Sequence, residues 1–203
     1  MLLRPCNLFL GRRYNSQNWS GALDSTSNLC RAAAGDSVAF ARVVKAEQAR
    51  VFGFLGRMGL DAVTSEDIAQ EAFLRVWRSA KSFDPRLGAA STWILTIARN
   101  LALGHLGAAA RRRENFDEDE VLQAPCGAPR PDAVLEEKQR RARLAAALER
   151  LAPTERSLLA ASYDEGLDLA AIAHLEGCSP GAAKLRLHRA RLKLKQILET
   201  DDG

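Results

Sequence analysis

The residues in this chain best equipped for chemistry lie near its end. The run SPGAAKLRLHRARLKLK, Ser179–Lys195, carries Lys184, Arg186, Arg189, Arg191, Lys193 and Lys195 and no acidic residue. Ammonium and guanidinium groups massed on one helix are suited to phosphates, because they displace condensed counterions from a duplex whatever its base sequence. Ser179 reads as an N-cap and Pro180 as the first helical residue, so the helix starts just ahead of the cations. Leu185, Leu187, Leu192 and Leu194 are its apolar anchors. Just upstream, Asp168–Gly177 (DLAAIAHLEG) has a capping residue, an apolar body and a terminal glycine. A tight Gly177–Cys178 turn joins the two segments into a helix-turn-helix. In that arrangement phosphate contacts position the second helix, and side chains near its N-terminus read base edges in the major groove. A solvated basic helix or a coiled-coil face has the same cations but leaves the capped helix ahead of it unexplained.

Other chemistries find less support. His174 and Cys178 are spaced like a metal pair, but a zinc site needs further ligands and none is at hand. Cys6, Cys30, Cys126 and Cys178 are scattered without a CxxC pair, which fits reduced thiols in a cytosol. No nucleophile–base pair, phosphate-binding glycine loop or metal cluster is visible, so the chain is not expected to be an enzyme or to need a cofactor. No apolar run approaches the roughly 18 residues of a membrane span, so no membrane insertion and a cytoplasmic location are expected. The N-terminal apolar stretch is short and broken by Arg4 and Pro5, unlike a secretory signal.

These residues need elements to position them. Of the 203 residues 47% are apolar, enough for one or two small cores. Alanine, leucine and arginine dominate and alternation of β-branched residues is absent, so the expected fold is all-α: two small helical domains joined by a flexible linker. Residues 1–34 read as a poorly ordered extension. The first domain spans 35–107. Its first helix runs from about Asp36 to Arg57, with Phe40, Val43, Val44, Val51, Phe52 and Leu55 on one side and Gly56 and Gly59 at its end. A second helix starts at Thr64 or Ser65, with Thr64 and Asp67 as a capping-box-like pair. Its apolar stripe is Ile68, Ala69, Ala72, Phe73, Val76 and Trp77; Asp67, Gln70, Glu71, Leu74 and Arg78 fall on another face. A loop, Ser82–Ser91, is marked by Pro85 and Gly88, and a third helix covers Thr92–Leu106.

Residues 108–134 then change character. Between 111 and 137 there are four basic and eight acidic side chains, a local net of −4 in a chain whose total is +4. Charge blocks and the prolines of APCGAPRP cannot build a core, so this segment reads as a linker. The second domain, 135–199, begins with a Leu144, Leu148, Leu151 stripe. Pro153 opens its next helix, Gly166 closes it, and the helix-turn-helix follows.

Two motifs now stand in order: SEDIAQEAFLRVWR (Ser65–Arg78) with the following FDP…G…STWILTIARN, and LERLAPTERSLLAASYDEGLDLAAIAHLEGCSPGAAKLRLHRAR. Together they resemble bacterial RNA polymerase sigma factors of the sigma-70 family, in the extracytoplasmic-function (ECF, group 4) type, over about Gly35–Leu106 and Leu144–Leu198. The resemblance implies a protein that binds core RNA polymerase and directs promoter-specific initiation, in a stress or extracytoplasmic response. It implies that Asp67, Gln70, Glu71, Leu74 and Arg78 contact the coiled coil of the largest polymerase subunit, with the flap as a second contact. It implies that Arg86, Trp93, Arg99 and Asn100 serve −10 capture, where a flipped base of the melted strand needs a pocket and a positive groove. Trp93 read alone is as well a core aromatic. It implies −35 reading by Ser179, Lys184, Arg186, Arg189 and Arg191, phosphate tracking by Arg111–Arg113, and a linker threading the polymerase with Asp117–Glu120 as nucleic-acid mimic or plain solvated charge. An anti-sigma factor wedged against both domains is a further implied partner.

Two departures from the family pattern stand out. Ala171 occupies the place of a Glu that would close a capping box with Asp168, at a cost of about 1 kcal/mol at most. Gly181-Ala182-Ala183-Lys184-Leu185-Arg186 replaces the usual Gly-Thr-Val-Lys-Ser-Arg, which removes a hydroxyl at Ala182 and puts an apolar side chain at Leu185. Two other classes fit part of the chain. A dimeric helix-turn-helix regulator explains the C-terminal half but leaves the Asp67–Trp77 and Thr92–Asn100 motifs idle. A sigma mimic that only captures an anti-sigma factor has no need of the basic helix. Cys178, in the turn, is the cysteine placed to sense oxidants.

Overall fold

A computed structural model describes residues 19–114 and 133–200, and every regular element among them is helical. The first unit comprises α1 (Trp19–Ala33), α2 (Ser37–Arg57), α3 (Ala62–Ser79) and α4 (Ala90–Glu114). The second comprises α5 (Ala133–Glu149), α6 (Pro153–Leu159), a π turn (Ala160–Asp164), α7 (Leu169–Glu176) and α8 (Pro180–Thr200).

Helix α1 corrects, for residues 19–33, the expectation of a poorly ordered 1–34 extension; residues 1–18 lie outside the described residues. Its inward side is Ser25, Asn28, Leu29 and Ala32, all nearly inaccessible. The polar members are satisfied: Ser25 Oγ donates to Glu47 Oε1 of α2 at 2.6 Å, and Asn28 Nδ2 donates to the Asp24 carbonyl. Thr26 Oγ1 accepts the Ala90 N–H at 3.1 Å, so α1 caps the first turn of α4 across the unit. Around this frame Val43, Val51, Phe54, Leu55, Met58, Ala72, Val76, Ile94 and Ala98 form a buried apolar core. Burying a side chain such as Phe54 or Leu55 stabilises by about 1.5–3 kcal/mol each.

Local signals place the helix starts. Asp36 caps α2, accepting the Ala39 N–H at 2.9 Å while paired with Arg31 at 2.7 Å. For α3 the expected Thr64–Asp67 box gives way to Asp61. It accepts both the Thr64 N–H and the Thr64 hydroxyl at 2.8 Å, so the helix begins at Ala62. Those donors hold the Asp61 carboxyl below its ordinary range. The stripe Ile68, Ala69, Ala72, Phe73 and Val76 is buried as expected, whereas Trp77 lies at its edge, tilted against Phe40 with ring centroids 4.9 Å apart. Helix α4 runs past the expected Leu106, because Ala108–Ala110 and Arg111–Arg113 are strong helix formers with no stop among them. The acidic block Asp117–Glu120 lies outside the described residues, as do Cys6 and Cys126.

In the second unit, Leu144 is 42% exposed and drops out of the expected stripe; Leu151 is buried as expected, Leu148 is half-buried, and Ala147 joins them. Pro153 does open α6, where Glu155 Oε2 accepts the Ala152 N–H at 2.8 Å. Asp168 caps α7 through the Ala171 N–H at 2.8 Å, and Gly177, at φ +60°, ends it in the left-handed region that a side chain disfavours. Ser179 Oγ then accepts the Ala182 N–H at 3.3 Å and α8 follows. The inward row of α8 is Ala183, Leu187, Ala190 and Ile197. Leu185 and Leu192, expected as anchors, are 49% and 47% exposed. Ala183 and Ala190 let α8 approach α6 and α7 closely; Leu187 is buried as expected, and Leu185 and Leu192 point away.

The two units pack directly on each other, α4 against α6 and α7, and α2 against α6 and the π turn. Arg50 Nε meets Glu165 at 2.9 Å, and Arg57 meets Asp164 at 3.0 Å and Glu165 at 3.6 Å. Burial pushes the Glu165 carboxyl up and outweighs the pull of Arg50 and Arg57; Asp164 is raised for the same reason against Arg57.

Candidate polymerase and nucleic-acid interfaces

Three surfaces carry the residues singled out by sequence. The first is the outer face of α3. Asp67, Gln70, Leu74 and Arg78 are exposed and Glu71 half-buried, one row along the helix opposite Ile68, Ala72 and Val76. Glu71 Oε1 accepts from Arg75 Nε at 2.7 Å, and Gln70 Nε2 reaches Glu66 at 3.4 Å. Leu74, 50% exposed, does little for the core, and an apolar side chain among charged ones is the anatomy of a docking face. Val63, 73% exposed one turn before Asp67, extends this row. Sequence reasoning missed it because it started the helix after Val63.

The second surface is the 82–91 loop with α4. Arg86 is clamped by Asp84, its Nη2 at 2.6 Å and its Nε at 2.9 Å, and this pairing draws the Asp84 carboxyl down. Trp93 is half-buried and leans on Phe83, ring centroids 5.4 Å apart, one side on the core and one side open. Asn100 is exposed, two turns along the same helix. Arg99 is not brought to this surface. It is 6% exposed, with Nη2 at 2.6 Å from Glu176 Oε2 and Nε donating to Ser157 Oγ at 2.9 Å, both in the second unit.

The third surface is α8. Ser179, Lys184, Arg186, Arg189 and Arg191 are all exposed. The structure divides the cations by position. Near the C-terminal half Arg191 donates to Ser162 at 3.2 Å and lies over the Tyr163 ring at 5.0 Å, while Lys193 holds Glu155 at 2.8 Å. Burial works to raise Glu155, but Lys193 and the Ala152 N–H prevail and its carboxyl sits low. Lys184 and Arg189 remain at the outward side beside Leu185, where a recognition helix enters a groove, and Arg186 lies 3.8 Å from Glu176. Cys178 is half-buried in the turn and His174 is exposed.

A two-unit helical protein with a basic recognition helix defines a class of DNA-directed factor, and comparison with known proteins fixes which. Residues 43–112 match Sigma-70 region 2 and residues 135–194 match Sigma-70 region 4. The chain is 36% identical to RNA polymerase sigma factor CarQ of Myxococcus xanthus over 73% of this chain and 83% of that protein. It is 32% identical to the ECF sigma factor RpoE of Cereibacter sphaeroides over 79% and 87%, and 30% identical to the ECF sigma factor SigK of Mycolicibacterium vanbaalenii over 80% and 83%. A solved structure of CnrH in complex with the cytosolic domain of CnrY shares the fold with a TM-score of 0.63 at 21% identity, over 88% of this chain and 99% of that one. The sigma factor RpoE of Bartonella quintana, solved with the anti-sigma factor NepR, gives 0.61 at 21% identity, over 80% and 98%. The chain belongs to the ECF sigma factors, which bind core RNA polymerase and direct promoter-specific initiation. No helix among the described residues is long and apolar enough to cross a membrane.

Proposed function

We propose that this sigma factor engages the polymerase through α3 and reads promoter DNA with α4 and α8. Asp67, Gln70, Glu71, Leu74 and Arg78 dock on the coiled coil of the largest subunit, and the second unit rests on the flap. Trp93 and Asn100, with Arg86 beside them and Arg99 once uncovered, receive the melted strand at −10. Ser179, Lys184, Arg186, Arg189 and Arg191 seat α8 at −35. The reading is carried by one observation: a row on α3 that packing does not need, in the same chain as a basic recognition helix. An ordinary regulator has no use for the first and an anti-sigma decoy none for the second. The factor has no catalysis of its own, works in the cytoplasm in a stress or extracytoplasmic response, and is held in check by an anti-sigma factor. The Bartonella quintana neighbour bound to its anti-sigma factor supports that last point.

Reconstituted transcription tests it. With bacterial core polymerase on a genomic promoter library, the chain is expected to give discrete starts sharing −35 and −10 elements. DNA binding without dependence on polymerase would refute the reading.

A further inference from the structure

We infer that Leu87 is a wedge, an apolar side chain that enters the base stack of the promoter duplex beside the extruded −10 base. The inference rests on the −10 reading given above to Trp93 and Asn100. Leu87 is 70% exposed, more than any other large apolar side chain among the described residues except Val63 of α3. A single exposed leucine needs no explanation by itself. This one is held out by a turn with no slack. The Asp84 carbonyl accepts the Leu87 N–H at 3.0 Å, and Pro85 fixes φ at the second position of the turn. The Asp84 carboxylate accepts the Arg86 N–H at 3.0 Å and grips the Arg86 guanidinium at 2.6–3.1 Å. Both shoulders of the loop are pinned as well. Before it, Phe83 donates its N–H to the Ala80 carbonyl at 3.1 Å and sets its ring against Trp93. After it, Thr26 Oγ1 accepts the Ala90 N–H. Phe83 and Trp93 pack on the core, and Leu87 stands apart from it.

Opening a duplex demands what such a residue supplies. A base drawn out leaves a gap between its neighbours, and the gap closes again unless something fills it. A leucine fills it without asking for a hydrogen bond, so it works whatever the flanking sequence. Trp93 and Asn100, beyond the loop on α4, offer the receiving side for the extruded base. Arg86 stands next to the wedge. Asp84 takes its Nε and Nη2, yet the side chain is 87% exposed and able to meet a phosphate of the flanking strand. The turn thus sets a filler and a cation at adjacent positions ahead of the receiving face. Leu87 separates the bases, and the residues of α4 hold the one set free.

The test uses holoenzyme assembled on bacterial core polymerase and a promoter found by start-site mapping, supplied fully paired or with a mismatched bubble over −10. Opening of the paired form is followed by permanganate reactivity of its thymines against time. Leu87→Ala is expected to open it about tenfold more slowly, the scale of losing one leucine burial. The same variant is expected to bind the bubble form like wild type, and Leu87→Met, which keeps an apolar filler, to restore opening. Leu87 lies outside the core, so both variants are expected to keep the melting temperature and the affinity for core polymerase. Opening at the wild-type rate by Leu87→Ala holoenzyme overturns the wedge. An equal defect on the bubble form also overturns it, because Leu87 would then touch only the separated strand. Asn100→Ala on the bubble form keeps the two levels distinct. Weakened binding there upholds the −10 reading whatever Leu87 does; binding like wild type removes that reading and the wedge with it.

Discussion

Truncating Leu74 to alanine should weaken polymerase binding far more than it weakens the fold. Leu74 is 50% exposed in the free chain, whereas Ile68 on the same helix is 7% exposed. Fully burying a leucine is worth about 1.5–3 kcal/mol. About half of that is already realised in the unit and is lost from stability on truncation, roughly 1 kcal/mol. The other half is realised only when a partner covers the side chain. At 1.4 kcal/mol per decade, its loss of about 1 kcal/mol raises the dissociation constant some fivefold. Ile68→Ala has the opposite signature. It costs about 2–5 kcal/mol of stability, and affinity is unchanged for whatever fraction stays folded. Thermal denaturation of the free variants, paired with titration of core polymerase by a fluorescent chain, reads both quantities. A folded Leu74→Ala protein that binds core polymerase like wild type would refute α3 as the docking helix.

Three further outcomes are expected. Ala171→Glu supplies the reciprocal bond that the Asp168 cap lacks and should stabilise the second unit by about 0.5–1 kcal/mol in urea denaturation; no gain would mean the Asp168 N–H is already satisfied. Leu185→Ser should leave the melting temperature almost unchanged, since the side chain is half exposed, but shift the base preference at −35 in the start-site library, because an apolar tip favours a thymine methyl. Acid should act on the two carboxylate sets in opposite directions. Asp61 and Asp36 have folded pKa values held below the ordinary 3.8 by backbone donors, so their contribution is present above that value and fades as pH falls through the lower one. Glu165, facing Glu47, Arg50 and Arg57 of α2 with Asp164 beside it, is raised above 4.5. Its share of interface stability is therefore full below that value and is lost as pH rises through the raised one. Scattering across this range should show the units separating as pH rises; closer association at higher pH would reverse the sign.

How much of this was legible in sequence depended on how local the signal was. Asp168, Gly177, Ser179 and Pro180 act on neighbours within a turn, and the helix-turn-helix they bound is where the sequence places it. Pro153 was readable for the same reason. Helix α1 was not, because its inward face is built from Ser25 and Asn28, which look like surface until Glu47 and the Asp24 carbonyl satisfy them. Thr64 and Asp67 imitate a cap, and only the backbone distinguishes them from Asp61 three residues earlier. Leu185 and Leu192 read as core because leucine usually is, yet the inward row is Ala183, Leu187, Ala190 and Ile197. The largest gap concerns Arg99: its partners Ser157 and Glu176 come from a distant part of the chain, and no periodicity announces a contact between units.

The unexpected length of α4 sets a dimension on the nucleic acid. At about 1.5 Å of rise per residue, Arg111 lies roughly 27 Å beyond Trp93 along one rigid axis. That distance corresponds to about eight base pairs of duplex. On the −10 reading proposed for Trp93, a single uninterrupted rod thus acts as a ruler from that residue to Arg111. Inserting or deleting a turn in Ala102–Ala110 would move the edge of the protected footprint by about 5 Å while leaving the melted bases where they are.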